Sequence, residues 1–312
     1  MNGNILITGG SGFLGRAIML IARTYGWDTR FTIYSRDELK QDKCHREFPD
    51  ARYVLGDICD TDRLMTTMIG HDIVIHAAAL KYIPEGELNA SECIRVNING
   101  AQSVIKAARA ASIPMVIGIS TDKAVSPVNV YGMSKAIMER LFAEASTDIR
   151  TKFVCCRYGN VIGSTGSVIP LFQRLIKTKG RLPVTDPTMT RFWISYREAV
   201  DLVRYSITAP SGCVVIPQPK AMMMMDLAKS IAQEAPIDIV GIRPGEKMHE
   251  DLLNEQESAR TVLAGAYYHL MPVGYKCHHK NEYFPSTLKS SSPYSWITVE
   301  EMQRLIQESE RV

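Results

Sequence analysis

Ile5-Leu6-Ile7-Thr8-Gly9-Gly10-Ser11-Gly12-Phe13-Leu14-Gly15 lies at the start of the chain and decides the fold. Its first four residues read as a buried strand, the glycines as a tight turn, and the run from Arg16 to about Tyr25 as a helix. Gly10, Gly12 and Gly15 satisfy G-x-G-x-x-G, while Gly9, Gly12 and Gly15 satisfy the spread T-G-x-x-G-x-x-G variant. Glycines at that spacing permit the turn and let a pyrophosphate approach the helix N-terminus. A strand, a glycine turn and a helix in that order favour dinucleotide binding over a plain tight turn.

Working outward, Phe31-Thr32-Ile33-Tyr34 is a second strand ending in Ser35-Arg36-Asp37. This position meets the ribose of a bound dinucleotide. The Ser35 hydroxyl and the Arg36 guanidinium suit a 2′-phosphate, so NADP is expected over NAD. Asp37 has two readings, an acceptor for a 2′-hydroxyl or a cap on the next helix. Gly56-Asp57-Ile58 follows a third strand and is placed for the adenine, with a helix cap as the competing role of Asp57. Ile73-Val74-Ile75-His76-Ala77-Ala78-Ala79 is a fourth strand running into small residues, against which a dinucleotide can lie. His76 reads as a packed core histidine, and Lys81 as either a phosphate or hydroxyl contact or a solvated lysine. Glu92 to Ala110 reads as a helix with Asn97 inside it. Met115 to Ser120 is a fifth strand and Phe153 to Arg157 a sixth. Strand and helix alternate throughout, which predicts a doubly wound parallel α/β sheet of the Rossmann type.

The fifth strand delivers Thr121-Asp122-Lys123 at its carboxyl end, where ligands gather in open α/β sheets. Tyr131 and Lys135 follow at a spacing of four and share one helix face. An ammonium beside a phenol favours tyrosinate and makes a base. Asp122 and Lys123 form a second acid/base pair. A single hydride transfer needs only the first pair, so two pairs point to chemistry beyond one oxidation. For Lys123 to act as a base it must be neutral part of the time. Desolvation, Lys135 and an oxidised nicotinamide are expected to lower its pKa.

Composition narrows the class. With 312 residues the chain can bury a large core, and its 22% charged and 46% hydrophobic residues are ordinary for a globular protein. A net charge of +3 is too small to argue for nucleic acid. No apolar run approaches the length that spans a bilayer, and no basic-then-apolar signal segment precedes the first strand. The cysteines number seven, an odd and scattered set, with Cys155 and Cys156 expected on opposite faces of a strand. Reduced thiols and a cytoplasmic location follow as expectations. Cys277-His278-His279 lacks a second group of ligands, so no metal is expected.

These residues resemble the extended short-chain dehydrogenase/reductases, and more narrowly the inverting UDP-N-acetylglucosamine 4,6-dehydratases. The resemblance covers almost the whole chain. It rests on Ile7 to Gly12, on Tyr34-Ser35-Arg36-Asp37-Glu38-Leu39-Lys40 and on His76 to Lys81. It continues through Ser120-Thr121-Asp122-Lys123-Ala124, Arg157 to Val161, Met189-Thr190-Arg191-Phe192-Trp193 and Gly241-Ile242-Arg243-Pro244-Gly245-Glu246-Lys247. Retaining dehydratases typically carry Thr-Asp-Glu where this chain has Thr121-Asp122-Lys123, and epimerases usually lack the doublet.

The resemblance implies a hydro-lyase that gives a UDP-4-keto-6-deoxy-hexosamine inverted at C5, through transient NADPH. Thr121, Asp122, Lys123, Tyr131 and Lys135 are its implied catalytic residues. The cofactor is implied at Gly9, Ser11, Gly12, Phe13, Leu14 and Gly15, then at Ser35, Arg36, Asp57 and Ile58. Further along it meets Ala77, Ala78, Ala79, Lys81, Tyr131, Lys135 and Tyr158. The UDP-sugar is implied at Lys81, Asn160, Ser167, Val168, Thr185, Arg191, Arg243 and Glu246. A homo-oligomer, dimer or hexamer, is implied as well. A 4-epimerase or retaining dehydratase and a non-catalytic NADP-sensing regulator are the alternative readings.

The second half of the sequence is looser. Residues 1–162 are expected to form the Rossmann domain, with about 192–218 returning to it. Residues 163–191 and 219–312 then make a smaller, mostly helical C-terminal substrate domain. Gly163 to Val168 is a small-residue turn able to pass a diphosphate. Ala221 to Glu257 reads as helical with one short strand, Ile237 to Ile242, and Met222 to Met225 as core or pocket lining. Ser286 to Ser295 reads as a polar loop, and Thr298-x-x-Glu301 as a capping box for a final helix.

Overall fold

The computed structural model describes residues 1–147, 149–275 and 287–312. The first half alternates β1 (Gly3–Thr8), α1 (Phe13–Thr24), β2 (Thr29–Ser35), α2 (Glu38–Glu47), β3 (Arg52–Leu55), α3 (Thr61–Met68) and β4 (Ile73–His76). Then α4 (Ile83–Leu88) and α5 (Ala90–Ile94) lead through a π-helical stretch, Arg95–Asn99, into α6 (Gly100–Ala110). β5 (Met115–Ile119), a 3-10 turn (Asp122–Ala124), α7 (Val130–Ala145) and β6 (Lys152–Cys156) complete this half. The second half runs β7 (Asn160–Val161), α8 (Val168–Lys179), β8 (Leu182–Val184), β9 (Thr190–Ile194), α9 (Tyr196–Ser206) and β10 (Val214–Pro217). It continues with β11 (Lys220–Met223), α10 (Met224–Ile231), β12 (Ile237–Ile239), β13 (Asp251–Leu253), α11 (Glu255–Ser258), β14 (Thr261–Ala264) and β15 (Tyr267–Leu270). β16 (Leu288–Lys289), β17 (Ser295–Trp296) and α12 (Val299–Ser309) follow.

The main sheet has the order β3-β2-β1-β4-β5-β6-β10-β15-β14, parallel as far as β10 and antiparallel in its last two strands. Strand order reverses between β1 and β4, so the crevice for a dinucleotide opens at their carboxyl ends. The central strands are buried on both faces, which is why they read as continuous apolar runs. Cys155 packs in the core on one face of the sheet and Cys156 in the core on the other. All six described cysteines are free. The fold is therefore the doubly wound Rossmann type with a smaller C-terminal unit.

That unit carries the sheet β17-β11-β9-β7 and its own core, including Ile162, Phe172, Trp193, Met222, Met224 and Met302. The methionine run is divided, Met222 and Met223 ending β11 and Met224 starting α10. The stretch expected to be helical after Ala221 is thus more broken than its composition suggests. Two stretches of the expected polar loop pair as strands, Leu288–Lys289 with β13 and Ser295–Trp296 with β11. At the last helix only half of the capping box forms. Thr298 accepts from the Glu301 amide, while the Glu301 carboxylate lies 3.6 Å from Lys220.

Candidate active site

The dinucleotide cradle follows from local chemistry. Gly12 caps α1 without any side-chain bond, and no acidic residue sits in the first turn. The amides and the positive end of the helix dipole are thereby left for an anion. Phe13, Leu14 and Gly15 begin the helix, and a Cβ on Gly15 would lie 2.1 Å from the Gly10 carbonyl. Helix and turn approach this closely only because residue 15 has no side chain. A cavity of about 310 Å³ is lined by Gly9, Ser11, Gly12, Ser35, Arg36, Asp57, Ile58, Ala78 and Ala79, all singled out from sequence. A dinucleotide fits these residues: a bare helix N-terminus, small side chains, and a cavity at the switch point.

At the ribose end the polar groups are already engaged. The Ser35 hydroxyl meets Ser11 at 3.0 Å and accepts from Gln41 at 2.9 Å, and Arg36 faces Glu92 at 3.6 Å. Asp37 accepts from the Lys40 amide at 2.9 Å and so caps α2. Asp57 is not a helix cap, since Asp60 caps α3. Its carboxylate accepts from the Cys59 amide and pairs with Arg95 at 3.1 Å.

The catalytic candidates converge at the carboxyl end of β5. Asp122 is completely buried and Lys123 nearly so. Asp122 Oδ1 accepts from the Thr121 hydroxyl at 2.8 Å, the Lys123 amide at 2.9 Å and Lys123 Nζ at 3.0 Å. Asp122 Oδ2 is buried without a partner. Lys123 Nζ also reaches Asn160 Oδ1 at 3.4 Å and Glu250 Oε1 at 3.5 Å. Asn129 caps α7 through the Gly132 amide, and a Cβ on Gly132 would lie 2.2 Å from the Lys123 carbonyl. That close approach seats Tyr131 against the 3-10 turn.

The electrostatics correct two expectations. Burial pulls the Lys123 ammonium down, but Asp122 and Glu250 outweigh it, and its pKa lies above the ordinary lysine value rather than below. Burial also pushes the Tyr131 phenol up to about 12, opposed by Lys123 and by a hydrogen bond to Thr121. The cation acting on Tyr131 is thus Lys123. Lys135 is buried, donates to Met138 Sδ at 3.3 Å and is lowered by burial to about 8. His76 is wholly buried, bonded to the Thr8 hydroxyl at 2.9 Å, and burial lowers it to about 3.

Other candidates sit at varying distance from this centre. Tyr158 is buried beside Tyr131, and burial raises its phenol. Ser167 caps α8 without a side-chain cap bond, its hydroxyl buried and unpartnered, and Val168 is the first residue of that helix. Arg191 is buried, donates to the Thr190 and Met248 carbonyls, and acts electrostatically on Lys123. Glu246 accepts from the Arg243 amide within one turn, and the Thr185 carbonyl, just past β8, accepts from the Gly241 amide at its start. Asn129 ties that turn to α7 by donating to the Gly245 carbonyl. Arg243 and Lys81 are exposed, and Ala77 bonds to the Thr8 carbonyl at the end of β4.

The sequence assigned no role to four supporting groups. Asn97 donates to the Leu80 carbonyl and the Ser134 hydroxyl and accepts from the Leu80 amide, pinning the loop after β4 to α7. The π-helical stretch aims it there. Arg157, Glu139 and Glu257 form a buried ion triad beside Ser120. Lys247 donates to the Val125 carbonyl at 2.6 Å. Glu250 is the fourth, and no local spacing distinguishes it. Among the described residues no group of three or more His, Cys, Asp or Glu can hold a metal ion, and no helix is long and apolar enough to cross a membrane. Cys277, His278 and His279 lie outside the described residues.

Comparison with known proteins adds the family. A family model described as "Polysaccharide biosynthesis protein" matches residues 5–272. The chain is 42% identical to a UDP-N-acetylglucosamine 4,6-dehydratase (inverting) of Campylobacter jejuni, over 86% of this chain and 83% of that protein. It is 39% identical to a UDP-glucose 4-epimerase of Rickettsia bellii, over 85% of this chain and 82% of the relative. Among solved structures, Pen from Bacillus thuringiensis superposes with a TM-score of 0.89 at 31% identity, covering 100% of this chain and 98% of that one. DesIV, a dTDP-glucose 4,6-dehydratase from Streptomyces venezuelae solved with NAD, shares the fold at a TM-score of 0.71 and 21% identity, over 78% of this chain and 86% of its own. The Brucella ovis UDP-glucose 4-epimerase, also solved with NAD, shares it at 0.67 and 22%, over 79% and 88%. These neighbours carry NAD, which overturns the expectation of NADP. In this chain Ser35 and Arg36, the residues behind that expectation, are engaged by Ser11, Gln41 and Glu92.

Proposed function

Because this chain belongs to the polysaccharide biosynthesis protein family, within the extended short-chain dehydrogenase/reductases, we propose that it is a UDP-N-acetylglucosamine 4,6-dehydratase that inverts C5. The observation that carries this reading is Lys123 Nζ held 3.0 Å from a buried Asp122 and directly beside Tyr131. An acid and a base there complement the tyrosine of a dehydrogenase site. The product is a UDP-4-keto-6-deoxy-hexosamine and the net change is loss of water.

Gly9 to Gly15 and the cavity at Ser35, Asp57 and Ile58 would hold NAD, which when bound would supply the hydride acceptor for C4 and the hydride donor for C6. Tyr131 takes the proton of the 4-hydroxyl, Lys123 is the cation that steadies the phenolate, and Lys135 would hold the nicotinamide ribose. The 4-ketone then acidifies the C5 proton. In the resting pair Asp122 is a carboxylate and Lys123 an ammonium. Moving one proton across their hydrogen bond gives a neutral amine and a carboxylic acid. Lys123 then takes the C5 proton while Asp122 gives its proton to the departing 6-hydroxyl, and the resting pair is restored. Thr121 orients both partners. C5 is reprotonated from the opposite face with a proton from water, and Tyr131 returns the 4-hydroxyl proton to solvent, so the net change is loss of one water.

Arg191, Arg243, Ser167 and Val168 are the diphosphate contacts in this reading, since guanidinium forks and a helix start both suit phosphate. Glu246 takes the uridine ribose, and Asn160, Thr185 and Lys81 complete the sugar side. Residues 1–162 with about 192–218 serve the cofactor, and 163–191 with 219–312 serve the substrate. The protein works as a cytoplasmic homo-oligomer, a dimer or hexamer.

The Rickettsia relatives favour a second reading, a 4-epimerase, for which Tyr131 and Lys135 suffice. Incubation with UDP- and dTDP-sugars in deuterated water, followed by NMR of the products, separates the two. The dehydratase gives a 4-keto-6-deoxy sugar with deuterium at an inverted C5. A C4 epimer without dehydration would refute it. Lys123→Ala keeps Tyr131 and Lys135 but removes the cation beside Tyr131, so C4 oxidation slows yet remains measurable while dehydration falls by about 10² to 10⁴. Near-normal dehydration in that variant would remove Lys123 from the base role.

A further inference from the structure

Glu250 is buried, 3% exposed, in the segment just before β13. Its Oε1 lies 3.5 Å from Lys123 Nζ, and its Oε2 lies 3.9 Å from Lys247 Nζ with no hydrogen-bond partner. The backbone is fixed independently of the catalytic turn. The Glu250 amide donates to the Ser290 hydroxyl at 2.8 Å, and the Ser290 amide donates to the Glu250 carbonyl at 2.8 Å. Ser290 is itself wholly buried and bonded to the Thr190 hydroxyl at 2.8 Å. A charged carboxylate costs much to bury, and the partners on hand are two lysines. Lys247 is largely committed to the Val125 carbonyl, so Lys123 is the group whose charge Glu250 reads.

Resting on the dehydratase reading, we propose that Glu250 is a positioning residue that stabilises the charge Lys123 gains when it takes the C5 proton. Asp122 becomes the nearest counter-charge only as it gives its proton to the leaving hydroxyl, whereas Glu250 keeps its place beside the amine throughout the step. A second fixed carboxylate near the amine costs no reorganisation as positive charge develops. The same charge makes the amine a stronger base once its proton has moved to Asp122. The other charged groups of the cluster are Asp122 and Lys123 on the 3-10 turn, Arg191 on β9, Lys247, and Asp251 on β13. Glu250 and Asp122 pull Lys123 toward the ammonium, and Arg191 pushes it the other way.

The pair Asp122–Lys123 acts while it holds one proton, so its pH profile is a bell whose alkaline limb marks loss of that proton. In Glu250→Gln the limb should move to lower pH by about one unit, and C5 deuterium exchange in single turnover should slow on the order of tenfold. The KM for the UDP-sugar and the rate of nicotinamide reduction should stay near the parent values. Glu250→Asp, which keeps the charge, should recover part of both effects. A Gln variant whose C5 exchange and limb match the parent overturns the proposal. So does an equal loss in the Gln and Asp variants with the limb unmoved, which marks a packing role. Failure of the parent enzyme itself to dehydrate any sugar would instead sink the dehydratase reading.

Discussion

Replacing Arg157 by Met tests what holds the catalytic strand ends to the C-terminal segment. The guanidinium is 1% exposed. It donates to Glu139 at 2.9 and 2.6 Å, to Glu257 at 2.8 and 2.9 Å, and to the Leu252 carbonyl at 3.1 Å. Methionine fills much of the volume but leaves two buried carboxylates without their cation. Glu139 keeps the Ser120 hydroxyl at 2.6 Å and Glu257 keeps the Asn254 amide at 3.4 Å. Breaking a buried ion pair from one side costs about 3–5 kcal/mol. The loss should depend on pH. In the parent, burial raises the Glu257 carboxyl but Arg157 outweighs it and holds it below the usual range. That contribution is present above the unfolded glutamate value of about 4.3 and disappears as pH falls through the folded value. In Arg157→Met, burial is opposed only by the Asn254 amide and by Arg260. The folded carboxyl rises above its unfolded value, and the penalty grows as pH rises from there. Urea denaturation of cofactor-free protein, followed by circular dichroism at mildly acidic and mildly alkaline pH, measures both. The gap between parent and variant should be smaller in acid. Adding Glu139→Gln and Glu257→Gln should recover most of the loss. A gap under about 1 kcal/mol, where a surface pair would fall, or one that shrinks as pH rises, would refute the reasoning.

Tyr131→Phe should keep the fold and the bound NAD yet slow C4 oxidation by about 10² to 10⁴, read as the absorbance of reduced nicotinamide in single turnover. Rapid reduction in that variant would take Tyr131 out of the base role. Gly15→Ala places a Cβ 2.1 Å from the Gly10 carbonyl and should abolish NAD binding by calorimetry, whereas unchanged affinity would show that the turn is not the cofactor's seat. Lys135 is lowered to about 8 by burial, so in cofactor-free protein its charge opposes folding below that pH. The penalty is relieved as pH rises from about 8 toward the unfolded value of about 10.4. Lys135→Met should therefore be more stable than the parent at neutral pH, with the gap closing across that window. A gap independent of pH would contradict the assignment.

The order of strands and helices was legible because each rests on local rules. β1, β4 and β5 are apolar runs, the Gly9 to Gly15 turn has a fixed spacing, and Tyr131 and Lys135 share a face through helical period alone. Those rules place Thr121-Asp122-Lys123 at the carboxyl edge of the sheet. Six strands of the parallel core followed from alternation, but β10 was not singled out, nor was the β14–β15 hairpin that extends the sheet, since an antiparallel addition has no crossover helix to announce it. The ribose end was misread because residue type says nothing of prior engagement. Ser35 and Arg36 look free in the sequence, whereas Ser11, Gln41 and Glu92 meet them in space. The same holds for proton affinity. The sequence by itself determined that a lysine stands beside an aspartate at a sheet edge. Only the tertiary structure decided that the Asp122 carboxylate turns onto Lys123 Nζ at 3.0 Å and that Glu250, far along the chain, comes within 3.5 Å, which together hold Lys123 above the ordinary lysine value. Charge interactions inside a protein depend on separation and burial, and neither is written in sequence distance.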